Sequence, residues 1–371
     1  MKKIKILFSI GRLSVGGAEK LLAYKLRHVD KDKFEPHLLT LFPETKDSYE
    51  YLLPADVLRH RGNFCGTFDI PAFFSLWNFL RKEQFGVVVT ELFSANLLVR
   101  LAALLVRPRP VLMSYEHNLY PDKSRWQIWI DRQLARRTHT IIVDAKSVKI
   151  FTAKQESIPE NKFVVLYHPP LIFGGPEITR EELCKKFTIP NDAKIILTVS
   201  RLVEEKGHTY LIDAAQKVIK QFPNTYFLIV GWGPLEEKLK SKIKNQKLEK
   251  NVILTGRMDI KDILSYADVY VESAVMVDIS IALLEAMKLK KPIVATRVGE
   301  IPVFVHDNEN GYLVDPSNAD GLAGRILMLL SEPSLASQFG ESSARTISRY
   351  TIEGYMRLFE ELITKSVTEK I

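Results

Sequence analysis

An arginine and a lysine, Arg201 and Lys206, stand five residues apart in SRLVEEKG (200–207), directly after the apolar run IILTVS. Two cations where a buried strand gives way to a glycine-ended loop either serve an anionic ligand or simply face water, since charged residues at strand ends are mostly exposed. Three more glycine-bearing loops follow apolar runs: GRLSVGG (11–17), GWGP (231–234) and GRMD (256–259). In open α/β sheets ligands bind beyond the carboxyl ends of the strands, where glycines let backbone N–H groups approach phosphate. All four loops therefore belong to a ligand-binding edge. None is a G-x-G-x-x-G dinucleotide fingerprint, and G-x-x-x-x-G-K-[ST] occurs nowhere, so dehydrogenase and P-loop ATPase readings lose their main support. Asp30-Lys31-Asp32 has D-x-D spacing but falls between a helix and a strand, away from that edge. Two acids in an exposed turn explain it better than a metal site, and no metal is expected to take part in the chemistry.

The loops need strands and helices to hold them. The 371 residues, 46% hydrophobic and 26% charged, suit a folded chain of two domains. IKILFSI (4–10), HLLTLF (37–42), VVVTELF (87–93), PVLMSYEHN (110–118) and HTIIVDA (139–145) alternate with helical stretches, the pattern of a doubly wound parallel sheet. After the Pro- and Gly-rich HPPLIFGGP (168–176), six more strands alternate with helices such as HTYLIDAAQKVIKQF and SIALLEAMKLK, and a last helical stretch (351–367) has no strand behind it. Its Tyr355, Leu358, Phe359 and Leu362 fall at helical spacing.

Cys65 and Cys184, the two cysteines, can build neither a disulfide framework nor a zinc site, which suits a reducing cytoplasm. The opening apolar stretch is too short for a signal sequence, and LLVRLAALLV (97–106) is broken by Arg100, so no spanning segment is expected. A net charge of +8 favours an anionic partner, yet the basic residues are scattered and no nucleic-acid module is recognisable. RWQIWIDRQLARR (125–137) sets Trp126, Trp129 and Ile130 at helical spacing beside Arg125, Arg132, Arg136 and Arg137, and PAFFSLWNFLRK (71–82) adds aromatics beside basic residues. Such faces suit the interface of an anionic membrane, and equally a helix turned into the core.

In combination, GGAEK (16–20), SRLVEEKG (200–207), IVGWGP (229–234), NVILTGRMDIKDILSYADVYVES (251–273), ALLEAMKLKKPIVAT (282–296), VGEIPVFV (298–305) and NGYLVDP (310–316) resemble the retaining glycosyltransferases of family 4, which have the GT-B fold. The likeness spans nearly all of the second half and patches of the first. It implies two Rossmann-like domains facing a cleft, the first at 1–170 on the acceptor side and the second at 171–345 binding the nucleotide sugar. A helical segment at 346–371 would cross back onto the first domain.

It also implies roles. Arg201 and Lys206 would stabilise the departing nucleoside diphosphate without a metal or other cofactor. Gly16 and Gly17 would offer backbone N–H groups to the same phosphates, and Gly231, Gly233 and Arg257 would belong to the donor site. Glu285 would accept hydrogen bonds from the ribose hydroxyls, with a helix-surface acid as the bland alternative. His117, in SYEHN, would position or polarise the reacting centre, with Glu116 and Asn118 as weaker companions; the alternative is a loop histidine whose hydrogen bonds are satisfied.

The family commonly has an acid eight positions before the one matching Glu285, and here that position is Val277. Asp278 stands one residue late, and the N–H groups of Ser280 and Ile281 could still meet the diphosphate. A second departure is YHPP (167–170), where many relatives carry Asn-Gly. The implied enzyme is a cytoplasmic hexosyltransferase at the inner face of the cell membrane. It would move a sugar from a UDP- or GDP-linked donor to a glycan or lipid-linked acceptor, with retention of configuration. An epimerase on the same fold, or a weakened relative that binds nucleotide sugars or polyanions, are the alternatives.

Overall fold

A computed structural model describes residues 3–44, 48–117, 119–172, 174–276 and 279–369, in two compact units. One ends at His168 and takes up the chain again at Ile352; the other is Pro169–Thr351.

The first unit holds β1 (Ile4–Ile10), β2 (Phe34–Thr40), β3 (Leu58–Arg61), β4 (Val87–Glu91), β5 (Val111–Glu116), β6 (Thr140–Val143) and β7 (Phe163–Val165). All pair in parallel, in the order β3-β2-β1-β4-β5-β6-β7. Central strands of such a sheet are covered on both faces, which is why β4 reads VVVTE and buries every residue. The crossovers carry α1 (Gly17–His28), α2 (Ile70–Glu83), α3 (Leu92–Leu104), α4 (Arg125–Ala135) and α5 (Lys146–Glu156). Asp69 caps α2 by accepting from Ala72 N, and Leu76 and Leu80 of that helix join Leu7, Val88, Leu98 and Leu112 in the core. Two strands were not expected. β3, sequence LRHR, is a largely exposed edge strand with no apolar run, and β7 is three residues long.

In the second unit β8 (Lys194–Val199), β9 (Thr225–Val230), β10 (Val252–Gly256), β11 (Val269–Glu272), β12 (Ile293–Thr296) and β13 (Tyr312–Val314) form a parallel sheet ordered β10-β9-β8-β11-β12-β13. Its helices are α6 (Arg180–Phe187), α7 (His208–Gln221), α8 (Glu236–Asn245), α9 (Ile260–Leu264), α10 (Ile281–Lys288), α11 (Ile301–Phe304), α12 (Ala319–Ser331) and α13 (Pro333–Ile347). Ile196, Ile212, Phe227, Val271 and Ile326 centre its core. Leu171 and Ile172 of the stretch expected to link the domains are buried, and the Ile172 carbonyl accepts from Lys288 Nζ at 2.9 Å.

The last helix, α14 (Ile352–Thr368), packs against α1 in the first unit. Ile352, Tyr355, Met356, Phe359 and Ile363 form its buried face; Phe359 lies 6.0 Å from Phe8, and Glu360 accepts from Asp30 N at 2.8 Å. Leu358, expected on that face, is 49% exposed: it sits one residue off the 355–359–363 row.

Candidate functional site

In the first sheet the strand order reverses between β1 and β4, and at their carboxyl ends a chain of buried polar groups runs without a break. Lys25 of α1 donates to Glu91 Oε1, and both are fully buried. Glu91 Oε2 lies 3.0 Å from His117 Nε2, and His117 Nδ1 lies 2.7 Å from Asp144 Oδ2. Asp144 Oδ1 accepts from the Tyr115 hydroxyl at 2.8 Å, whose oxygen is 2.9 Å from that of Tyr355 on α14. Since Tyr115 donates to Asp144, its oxygen receives from Tyr355. The Tyr115 ring stacks on His117 at 4.3 Å and carries Lys25 Nζ over its face, also at 4.3 Å.

The charges balance. Burial alone would lower the pKa of His117, but Asp144 and Glu91 carry it up to about 9, so at neutral pH the ring is an imidazolium that donates both N–H groups. Burial would raise the carboxyls, yet the cations outweigh it: Lys25 and His117 hold Glu91 low, and His117 holds Asp144 low. His117, expected to position or polarise a reacting centre, is enclosed by these partners. It stands in the loop just after β5, is only 6% exposed, and has both ring nitrogens satisfied by carboxylates, so neither is open to polarise a substrate while they hold it.

Glu116 belongs to a second buried cluster. It accepts from Asn96 at 2.8 Å, and Lys123 bridges Asp131 at 2.9 Å and Glu156 at 2.6 Å while Arg100 meets Asp131 at 2.9 Å. Burial raises the Glu156 carboxyl to about 7 despite Lys123. Asn118 lies outside the described residues.

Gly16 is extended and precedes α1, of which Gly17 is the first residue. A Cβ at Gly16 would fall 2.3 Å from Glu19 Oε2, so glycine makes room for a carboxylate at the head of the helix. Glu19 accepts from the Ser14 hydroxyl at 2.9 Å, and burial raises its pKa. Asp30 accepts from the N–H groups of Asp32 and Lys33 and pairs with Lys33, as a turn acid does.

The second sheet reverses between β8 and β11, and SRLVEEKG is the loop that leaves β8 there. Gly207 has φ +64°, and a Cβ on it would meet the Ser273 carbonyl oxygen at 2.1 Å. Ser273 Oγ donates to the Lys206 carbonyl at 3.0 Å, and Val275 N to that of Glu205 at 2.8 Å. The loop is thus fastened by its backbone to the end of β11, while the Arg201 side chain stays 65% exposed with Glu205 at 3.9 Å. His208, not singled out in the sequence, is buried beneath it, with Nε2 at 3.1 Å from both Ser200 Oγ and the Arg201 carbonyl; burial lowers its pKa.

Gly231 (φ +144°) presses on the Ser200 carbonyl and Gly233 on the backbone of Leu202, whose N–H donates to the Trp232 carbonyl at 2.9 Å. Arg257 covers the Trp232 ring at 4.2 Å. Ser280 caps α10, accepting from Leu283 N at 3.3 Å and donating to Glu272, with Ile281 as the first helical residue. Glu285 is fully buried, which removes the helix-surface alternative. Val277 and Asp278 lie outside the described residues.

The tryptophans of α4 are not core. Trp126 is 49% and Trp129 61% exposed, and Arg125, Arg136 and Arg137 are exposed nearby. Arg132 is taken up instead by the Glu156 carbonyl, 2.7 Å away, and the Ser157 hydroxyl. In the other aromatic stretch Phe73, Trp77 and Phe79 pack on the core, leaving Phe74 58% exposed. Among the described residues no helix is long and apolar enough to cross a membrane.

Comparison with known proteins matches residues 15–169 to "Glycosyltransferase Family 4" and 179–346 to "Glycosyl transferases group 1". The α-D-kanosaminyltransferase of Streptomyces kanamyceticus is 25% identical over 58% of this chain, a match that spans only 57% of that relative. The Escherichia coli UDP-Gal:α-D-GlcNAc-diphosphoundecaprenol α-1,3-galactosyltransferase is 23% identical over 81% of both chains. Anabaena HepE, solved with UDP and glucose, superposes with a TM-score of 0.83 over 98% of this chain and all of its own, at 17% identity.

Proposed function

The chain belongs to the family 4-like glycosyltransferases of the GT-B fold, and from that membership we propose that it moves a hexose from a UDP- or GDP-linked donor to a glycan or lipid-linked acceptor. The product would enter a surface polysaccharide or glycolipid, with the configuration of the transferred sugar retained. The observation that carries this reading is the loop at the strand-order reversal of the second sheet. Gly207 and Ser273 fix its backbone while the Arg201 side chain is left 65% exposed, so a cation is aimed outward from a rigid support. Donors set in place before the reaction stabilise developing charge without reorganising, and here Arg201 and Lys206 would take the charge of the leaving diphosphate in place of a metal ion. In the same reading Gly16, Gly17, Gly231, Gly233, Arg257, Asp278, Ser280, Ile281 and Glu285 hold the donor. His117 acts as a fixed positive charge.

We also infer contact with an anionic membrane through α4, where two exposed tryptophans lie beside three exposed arginines. That contact would bring a lipid-linked acceptor to the enzyme.

The test is nucleoside diphosphate release from UDP- and GDP-hexoses, with and without an extract of bacterial lipid-linked sugars. Release that depends on the extract is expected. Binding without release would favour the weakened relative that Val277 suggests, and neither binding nor release would overturn the reading.

A further inference from the structure

Trp232 stands apart from the other three tryptophans, Trp77, Trp126 and Trp129, in being the sole one of the second unit. An indole is among the largest apolar surfaces a chain can carry, and this one is 46% exposed. The backbone of the loop that bears it is pressed closely against the loop that leaves β8. Gly231, on its N-terminal side, sits so close to the Ser200 carbonyl that a Cβ would be 1.9 Å from that oxygen. Gly233, on the other side, would strike the Leu202 backbone at 2.5 Å. Trp232 itself is tied to that loop, accepting from Leu202 N at 2.9 Å, and Leu235 N donates to the Leu202 carbonyl at 3.1 Å. The two loops are therefore joined backbone to backbone. Arg201, the outward cation, precedes Leu202 directly.

The guanidinium of Arg257, from the loop after β10, lies 4.2 Å from the centre of the indole and holds the ring by a cation–π contact. A flat, half-open aromatic surface is thus kept in a fixed place, one hydrogen bond away from a residue adjoining a phosphate-seeking arginine. A nucleoside diphosphate joins the same two chemistries, an anionic end and a flat π surface, in one molecule.

We propose that Trp232, steadied by Arg257, is the surface on which the base of the nucleoside diphosphate stacks. The proposal rests on the nucleotide-sugar reading and adds to it a residue that recognises the base. Stacking draws on the π face that every base has, so this contact would strengthen uridine and guanosine diphosphates alike and leave the choice between them to other groups.

Fluorescence and calorimetric titrations of the full chain with UDP, GDP and inorganic pyrophosphate test it. In the native protein both nucleotides should quench tryptophan emission, and Trp232→Phe should abolish the quench while keeping most of the affinity. Trp232→Ala should bind UDP and GDP about tenfold or more weakly, with pyrophosphate affinity unchanged. Melting temperatures close to the native value would verify that both variants fold. If Trp232→Ala binds both nucleotides as tightly as the native chain, or if UDP and GDP bind without altering the emission that Trp232→Phe removes, the stacking role is wrong and the donor reading stands. If the native chain binds neither nucleotide, the donor reading falls and the stacking role with it.

Discussion

Raising the pH from 6.5 to about 9 should strip the first unit of much of its stability, and His117 is the reason. Its folded-state pKa of about 9 lies above the ordinary 6.5, so the folded chain holds this proton more tightly than the unfolded one. The stability from that difference is complete below pH 6.5 and disappears as the pH rises through the folded value. Each pH unit in the interval is worth about 1.4 kcal/mol, and about two and a half units give roughly 3 kcal/mol. A domain with a total of roughly 5–15 kcal/mol would notice the loss. Glu156, raised from 4.5 to about 7, adds a separate decline over that lower window. Glu91 and Asp144, held below their ordinary values, contribute in the opposite sense: their share is present above 4.5 and 3.8 respectively and lost in acid. Urea unfolding between about pH 6 and pH 9.5 at fixed ionic strength measures the slope, and proton NMR of the histidine ring assigns it. Asp144→Asn should move the His117 titration down, flatten the alkaline slope and cost about 3–5 kcal/mol at pH 7, the usual penalty for unpairing a buried ion. A flat profile from pH 6.5 to 9, with His117 titrating near 6.5, would refute the electrostatic account.

Arg201→Ala and Lys206→Ala should each lower turnover by about 10²–10³ with an unchanged melting temperature, because the proposed reading puts their work on the leaving group; native turnover in either variant would sink the assignment. Gly207→Ala forces a side chain into a positive φ and against the Ser273 carbonyl, and should cost more than about 1 kcal/mol in thermal unfolding and loosen donor binding at the same time. Replacing Trp126 and Trp129 together by alanine should weaken co-sedimentation with vesicles containing anionic lipid, a binding that salt also reduces. Equal partition of the native chain onto neutral and anionic vesicles would remove the membrane contact.

What the residues disclosed and what they concealed have physical causes. Central parallel strands such as VVVTE are apolar on both faces and can be read directly, whereas LRHR at the sheet edge and the three residues of β7 offer no pattern to read. Each glycine-bearing loop could be assigned to a sheet edge because it follows an apolar run. Which loops touch is a matter of strand order, so the hold of Ser273 on Lys206 was not legible. Lys25 was missed although it left a trace: it shares a helical stripe with Leu21 and Leu22, and a lysine in such a stripe must find a buried acid. Its acid is the last residue of β4, and Asp144 follows β6. Only the crossovers bring these three segments together around His117. The tryptophans of α4 were ambiguous because helical spacing identifies a face and says nothing of what covers it.

The return of α14 to the first unit has a consequence for biosynthesis. The second unit is one unbroken stretch of chain and can close as soon as it leaves the ribosome. The first cannot: between His168 and Ile352 the whole second unit must be translated, which at about 5–20 residues per second takes roughly 10–40 s. Throughout that interval the seat of Phe359 beside Phe8 is empty, and the Tyr115 hydroxyl lacks the donor it later receives from Tyr355. The part made first is therefore the part finished last. A nascent chain halted before Ile352 would carry an open apolar seam on its earliest-made half, and chaperones and proteases could recognise the unfinished molecule by that seam.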